Sequence, residues 1–170
     1  MARFVVVLPL TPLAVGDEFT VAQWPLHVTL VEPFPTSLGG DDVARVLEGV
    51  EGIGPGAPAI HAAAGDDAMF GRRRDVPVTL VLDGGELAAL RARTLAALGR
   101  AGVELRPRLE FRPHVTRKQH GRIRQGDRVV LETVALIDMR PPAGAHHRRV
   151  VAAWSLDASS RDSPGPAVVR

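Results

Sequence analysis

Two short segments repeat the order His-Val-Thr, and each combines a titratable ring with a hydroxyl group. The first motif is His27-Val28-Thr29 and the second motif is His114-Val115-Thr116. With six His and eight Thr in the chain, chance would supply roughly 0.3 His-x-Thr matches by template counting. Each motif closely follows a proline in a stretch that favours β-structure. We therefore interpret the two motifs as one functional set.

In a β-strand, residues i and i+2 project to the same face, so each motif presents its imidazole and its hydroxyl together. The central valine of each motif points to the opposite face. A neutral imidazole can activate water, and an imidazolium can protonate a departing oxygen. The threonine hydroxyls can donate hydrogen bonds to the remaining oxygens of a phosphate. This set predicts cleavage of a phosphate diester with neither a metal ion nor a cofactor.

The elements that position the motifs are predicted from apolar periodicity and from glycine and proline breaks. Period-2 patterns and β-branched residues predict a central strand at Phe4–Leu8 and a strand beginning near Leu26. Further strands are predicted at Ala59–Ala64, Val76–Leu82, Phe111–Lys118, Val129–Met139 and Val150–Leu156. Helices are predicted from Asp41, with an Asp cap, and from Glu86 to about Ala101. We expect the Gly65-Asp66-Asp67 segment to form a turn that closes the first half of the chain.

Composition indicates a folded domain without a strong overall charge. The chain has 170 residues, is 45% hydrophobic and carries a formal net charge of +2, so any attraction to phosphate must come from local clusters. The absence of Cys excludes disulfides, thiolate nucleophiles and Cys-ligated zinc. No apolar run approaches the roughly 20 residues that span a bilayer. We therefore expect a cytoplasmic protein that does not contact a membrane.

The paired motifs and their spacing, together with Phe70-Gly71 and the segment Asp75–Leu80, resemble the 2H phosphoesterase superfamily. Within it, they are most similar to the 2′-5′ RNA ligase-like cyclic phosphodiesterases. The resemblance implies an α/β (α+β) bilobal fold, in which two mainly antiparallel sheets with outer helices surround a central cleft in a pseudo-twofold internal duplication. We expect residues 1–157 to form one such domain and residues 158–170 to form a flexible C-terminal tail.

The resemblance also implies the roles of the motif residues. His27 and His114 would be the catalytic pair, and Thr29 and Thr116 would bind phosphate. The substrate would be an RNA end or nucleotide with a 2′,3′-cyclic phosphate or a related 2′-linked diester, cleaved by a monomer. The second motif is usually followed by an apolar residue, but here Arg117 and then Lys118 follow it. Positive charge near the cleft indicates further substrate contacts, for which the candidates are Arg72, Arg73, Arg74 and Lys118.

Other interpretations of the same residues stay open from sequence alone. The arginine run 72–74 is most simply a solvated loop, and we interpret His61 and His146-His147 as surface or core residues rather than metal ligands. A non-catalytic RNA- or nucleotide-binding module could keep both motifs. A 2′-5′ RNA ligase would need the same groups for the reverse reaction. The sequence does not decide which His is the base.

Overall fold

The computed structural model describes residues 1–157, which form nine β-strands and two α-helices. In chain order these are β1 (Ala2–Pro9), β2 (Glu18–Thr20), β3 (His27–Thr36), α1 (Gly40–Glu48), β4 (Ile60–Phe70), β5 (Val76–Leu82), α2 (Glu86–Arg100), β6 (His114–Thr116), β7 (Arg128–Leu131), β8 (Thr133–Asp138) and β9 (His147–Ser155). The strand pairs are antiparallel. The predicted α+β composition is thus confirmed, while the predicted tail at 158–170 lies outside the described residues.

One sheet, rather than the two predicted, contains all nine strands in the order β2-β9-β8-β1-β3-β6-β5-β4-β7. The two expected sheets are continuous because β3 pairs with β6. We call β2, β9, β8, β1 and β3 the first half and β6, β5, β4 and β7 the second half. The strands of the second half come from one continuous stretch of chain, 60–131, which is inserted between two segments of the first half.

Strand β1 lies between β8 and β3 and is buried on both faces, as its apolar run predicts. Phe4, Val6 and Leu8 belong to the main core, which also contains the buried apolar residues of both helices. Val5 and Val7 belong to a smaller apolar cluster on the other face. Both helices therefore cover one face of the sheet, and the opposite face is left to form the cleft.

Two local predictions are wrong. The Gly65-Asp66-Asp67 segment is not a turn, because β4 continues through it with a bulge between Ala64 and Asp67. An added Cβ at Gly65 would lie 3.0 Å from Leu82, so glycine permits the close approach of the neighbouring strand there. Helix α1 has no Asp cap, since Gly39 occupies its N-cap without a side-chain hydrogen bond.

Several predicted strands also have different bounds. The stretch Val129–Met139 is divided at Glu132, because β7 pairs with β4 whereas β8 pairs with β1 and β9. Glu132 therefore marks the return of the chain from the second half to the first. The stretch Phe111–Lys118 contains only the three residues of β6. Helix α2 agrees closely with its prediction, and Gly102 follows it with a φ of +87°, which suits a helix stop.

Candidate active site

The two motifs lie side by side where the two halves of the sheet meet. The first motif begins β3, the second motif is the whole of β6, and Val28 is the antiparallel partner of Val115. It follows that His27 lies opposite Thr116 and that Thr29 lies opposite His114. The two histidines are diagonal neighbours, a relationship that separates two residues by roughly 7–8 Å and their Cβ atoms by somewhat less. Both imidazoles can therefore reach one phosphate group.

Burial separates the polar and apolar residues of each motif as alternation predicts. Val28 and Val115 are 0% and 1% exposed, and both belong to the main core beneath the helices. The His and Thr residues are half-buried. Because directly paired residues of an antiparallel sheet share a face, all four polar side chains lie on the cleft face. The valines thus anchor the floor of the site.

The two imidazoles are oriented by the same backbone contact. Nδ1 of His27 lies 2.8 Å from the carbonyl oxygen of Pro25, and Nδ1 of His114 lies 2.8 Å from that of Arg112. A carbonyl oxygen can only accept, so Nδ1 carries the hydrogen in both rings. This leaves each Nε2 without a partner among residues 1–157. Two matched nitrogen atoms are thereby available to a ligand.

An aromatic ring packs against each imidazole. Trp24 stacks on His27 with ring centroids 4.4 Å apart, and Phe70 meets His114 edge to face at 4.6 Å. Trp24 belongs to the smaller apolar cluster, which fixes the indole against the sheet. Phe70 ends β4, next to the hairpin that leads into β5. These contacts restrict the rings to orientations compatible with the Nδ1 hydrogen bonds.

Burial makes protonation of both imidazoles less favourable than in water. The pKa of His27 falls to about 4, mainly through burial; the hydrogen bond to the Pro25 carbonyl opposes this shift, and the positive charges of Lys118 and His114 contribute to it. Burial likewise lowers the pKa of His114, with added effects from Arg108 and Arg112. Both rings are therefore mainly neutral at pH 7 when no anion is bound.

The two threonine hydroxyls are not used to hold the fold. Neither Thr29 nor Thr116 forms a side-chain hydrogen bond with another residue in the described range. A hydroxyl group is both donor and acceptor and rotates to suit its partner. Together with the two Nε2 atoms, they provide four polar groups around one small space.

A cavity of about 530 Å³ adjoins His114 and Thr29. Its walls combine aromatic rings with charged groups of both signs, among them Phe70, Phe111, Arg74, Arg108, Arg112 and Glu32. The guanidinium carbon of Arg112 lies 5.1 Å from the centre of the Phe70 ring. Flat apolar surface beside cationic side chains suits a ligand that has both an aromatic ring and a negative charge.

The predicted basic residues occupy different positions. Arg74 lines the cavity, whereas Arg72 and Arg73 are exposed and do not contribute to its walls. Arg117 is also outside the cleft, where its guanidinium lies 3.4 Å from the Asp67 carboxylate. Lys118 shares the cleft face with His114, as alternation predicts, and its Nζ lies 5.9 Å from the Trp24 ring centre. The structure therefore separates the candidate cations into cleft and non-cleft groups.

Asp67 forms a network behind the second motif that sequence analysis did not identify. Its carboxylate accepts hydrogen bonds from the Thr79 hydroxyl at 2.9 Å and from the Arg122 guanidinium at 2.8 and 3.0 Å. The same Thr79 hydroxyl lies 3.2 Å from the Ile123 carbonyl oxygen. These bonds fasten the segment after β6 to the sheet. The acidic residue lies in the predicted turn, so its role was not apparent from sequence.

Sequence analysis also missed Trp24 and Arg148, which lie close to His27, and the cavity residues Glu32, Arg108, Phe111 and Arg112. Trp24 precedes the first motif by only three residues, and an aromatic at that spacing was the available signal. Arg148 lies on β9 with its guanidinium carbon 5.4 Å from the Trp24 ring centre, and no local pattern marked it.

Within residues 1–157, no cluster of three or more His, Cys, Asp or Glu residues is arranged to hold a metal ion. In that same range, neither helix has the length and apolarity needed to span a bilayer.

Several solved structures share this fold. A crystal structure described as a phosphoesterase superposes with a TM-score of 0.57 at 17% identity, covering 92% of this chain and 99% of its own. LigT from E. coli in complex with 3′-AMP has a TM-score of 0.57 at 15% identity, covering 91% and 98%. TT0787 from Thermus thermophilus has a TM-score of 0.59 at 16% identity, covering 94% and 100%. At these identities the likeness establishes the fold.

Sequence comparison places the chain in a family. No curated protein sequence matches it significantly. The model of the 2′-5′ RNA ligase superfamily matches residues 12–158, a range that contains both motifs and most of the sheet. This protein belongs to the 2′-5′ RNA ligase superfamily, the 2H phosphoesterases.

Proposed function

We propose that the protein is a metal-independent phosphoesterase that hydrolyses 2′,3′-cyclic phosphates or related 2′-linked diesters of nucleotides or RNA. The observation that carries this proposal is the pairing of Val28 with Val115. That register sets the two histidines on one diagonal of the cleft face and the two threonines on the other. Two acid–base groups and two hydroxyl donors around one anion are sufficient for diester cleavage.

In the proposed reaction, the phosphate lies between the two motifs. The neutral imidazole takes a proton from water at Nε2 as the water oxygen bonds to phosphorus. The protonated imidazole gives its Nε2 proton to the ester oxygen as the P–O bond breaks. Thr29 and Thr116 donate to the non-bridging oxygens. The reaction leaves the former base protonated and the former acid neutral, and proton exchange with solvent restores the starting state.

The low pKa values of the free protein fit this scheme because the substrate is itself an anion. A negative charge close to an imidazole favours the protonated ring and raises its pKa. Binding of a phosphate would therefore oppose the effect of burial on His27 and His114. The mechanism needs a proton on only one of the two rings. Once one imidazole is protonated, its positive charge disfavours protonation of the other. The bound anion thus helps to create the acid–base pair.

The cavity beside His114 supports a nucleotide as the substrate class. Its phenylalanine rings can stack against a base, and Arg74, Arg108 and Arg112 offer charge to a phosphate. LigT, which shares the fold, has been crystallised with 3′-AMP, ATP and NADP+. Nucleotide binding by this chain is accordingly part of the proposal.

The decisive experiment measures hydrolysis of adenosine 2′,3′-cyclic phosphate by purified protein in the presence of EDTA. We expect turnover that EDTA does not reduce and that is lost in His27→Gln and His114→Gln variants. Binding of 3′-AMP without any turnover would identify a nucleotide-binding module and overturn the proposal. Joining of RNA ends through 2′-5′ bonds, without hydrolysis of the cyclic phosphate, would instead identify a ligase.

A further inference from the structure

Two cationic side chains share the aromatic ring next to His27. The Nζ of Lys118 lies 5.9 Å from the centre of the Trp24 ring, and the guanidinium carbon of Arg148 lies 5.4 Å from it. The same ring stacks on His27 at 4.4 Å. Both cations are therefore close to the first motif, whereas the 530 Å³ cavity adjoins His114. The two ends of the cleft thus have separate groups of basic residues.

The positive charge of this pair is not neutralised within the described residues. Neither Lys118 nor Arg148 takes part in an ion pair there. Asp138 is close enough to favour the charged form of Arg148, but burial and the charge of Arg3 act more strongly in the opposite direction. Burial and the charge of Arg148 likewise lower the pKa of Lys118. A bound anion would offset the unfavourable approach of these charges.

Arg148 is held in place by the backbone rather than by an acidic partner. Its Nη1 lies 2.8, 2.9 and 3.2 Å from the carbonyl oxygens of His147, Ala145 and Met139. No hydrogen bond to another described residue involves its Nη2, and its buried Nε is unpaired. A guanidinium fixed through Nη1 keeps its Nη2 donors for a ligand without further loss of side-chain entropy.

We propose that Lys118 and Arg148 form a second phosphate subsite on the His27 side of the cleft. Its ligand is the phosphate that neighbours the scissile one in the same substrate molecule. This inference rests on the proposed function for the meaning of the scissile phosphate. It deepens that function by naming the substrate class: a nucleotide that carries two phosphate groups, or an RNA end, in preference to a nucleoside monophosphate.

The test compares the binding of adenosine 3′,5′-bisphosphate and adenosine 3′-monophosphate by calorimetry at a fixed salt concentration. We expect the wild-type protein to bind the bisphosphate at least about tenfold more tightly, which corresponds to about 1.4 kcal/mol. Lys118→Met and Arg148→Met should each bring the ratio of the two dissociation constants close to one. Each should also reduce the salt dependence of bisphosphate binding by about one unit.

Adjacent arginines provide matched controls. Arg117 follows the second motif but pairs with Asp67, and Arg149 follows Arg148 but lies near Glu18, with 3.9 Å between Nε and Oε1. Arg117→Met and Arg149→Met should keep the wild-type ratio. Because Arg148→Met removes three hydrogen bonds to carbonyl oxygens, it can also affect folding. Lys118→Met and its charge-preserving partner Lys118→Arg, which should retain the preference, provide the test that does not depend on Arg148.

The outcomes separate this subsite from the proposed function because binding is measured without turnover. Equal affinity of the wild-type protein for the two ligands would overturn the subsite, even if cyclic phosphates are hydrolysed. An unchanged ratio in Lys118→Met would do the same. A preference for the bisphosphate that depends on Lys118, in a protein that hydrolyses no cyclic phosphate, would support the second anion subsite and contradict only the proposed reaction.

Discussion

Val28 of β3 lies directly opposite Val115 of β6, and this single pair sets the relative positions of the four polar side chains in the motifs. A shift of one residue in the pairing would leave both strands intact but would place the His and Thr residues of the two motifs on opposite faces. The burial of both valines in the main core opposes such a shift. The geometry of the site is therefore maintained by apolar packing behind it.

Replacement of either motif histidine should greatly reduce hydrolysis of a 2′,3′-cyclic phosphate. We expect His27→Ala and His114→Ala each to reduce kcat by about 10² to 10⁴-fold, the usual contribution of a positioned acid or base. The double variant should be little slower than either single one, because the pair acts as a unit. Thr29→Val and Thr116→Val should have smaller effects. His61→Ala is the control, and full activity in both single variants would contradict the two-histidine mechanism.

The pH dependence of kcat/KM should lie to the acid side of an ordinary imidazole. Burial lowers the pKa of His27 to about 4 and lowers that of His114 as well. Catalysis needs one protonated ring in the free enzyme, and above both pKa values that population falls about tenfold per pH unit. We expect kcat/KM to rise as the pH falls from about 8 to about 6. An optimum at or above pH 7 for a substrate with constant charge would contradict this.

Removal of the Lys118 charge should change the titration of His27. The ammonium group lowers the pKa of that ring, so Lys118→Met should raise it above about 4. Titration of the imidazole signals by NMR measures this directly. His114 serves as an internal reference because Lys118 is not among the groups that shift its pKa. A His27 pKa that stays the same in Lys118→Met would show that the ammonium group is too distant to act on the site.

Arg91 should be important for stability although it is a charged residue on a helix. It is 4% exposed, and its guanidinium donates to the Leu30 carbonyl at 2.7 Å and to both Glu32 oxygens at 2.8 and 3.0 Å. We expect Arg91→Met to lower the free energy of unfolding by about 2 to 3 kcal/mol in urea titrations, since it leaves these acceptors unpaired.

The expected loss of stability is this small because 31% of the Glu32 side chain is accessible to solvent, so water can partly replace the lost Arg91 contacts. Arg93 is a matched control on the same helix, since its contact with the Glu51 carbonyl is exposed. Arg93→Met should change stability by no more than about 0.5 kcal/mol. Equal effects of the two substitutions would refute a special role for Arg91.

The parts of the site that follow strand periodicity could be predicted from the sequence. Alternation places each His and Thr on one face, and the buried valines agree with it. The continuous apolar run of β1 likewise predicts a central strand, and the leucines of α2 predict its buried side. These signals are local, so they survive without knowledge of the tertiary fold.

Contacts between distant segments could not be predicted in this way. Trp24 lies in the segment between β1 and β3, and Arg148 lies on β9. The two residues meet only because β2, which belongs to that segment, pairs with β9. From the sequence alone, Arg91 would be interpreted as an exposed residue of a helix. Its contact with Glu32 exists only because α2 packs on β3. The bulge in β4 depends on Leu82 of the neighbouring strand. Each of these features arises from contacts that the local pattern does not contain.

The insertion of residues 60–131 within the first half has a consequence for synthesis on the ribosome. Strand β1 emerges well before β8, although Val7 pairs with Ala135 of that later strand. At roughly 5–20 residues per second, β1 waits on the order of 10 seconds for this partner. During that interval one edge of an apolar strand is unpaired, a state prone to association with other chains. The nascent protein therefore has a window in which a chaperone that covers β1 would favour correct folding.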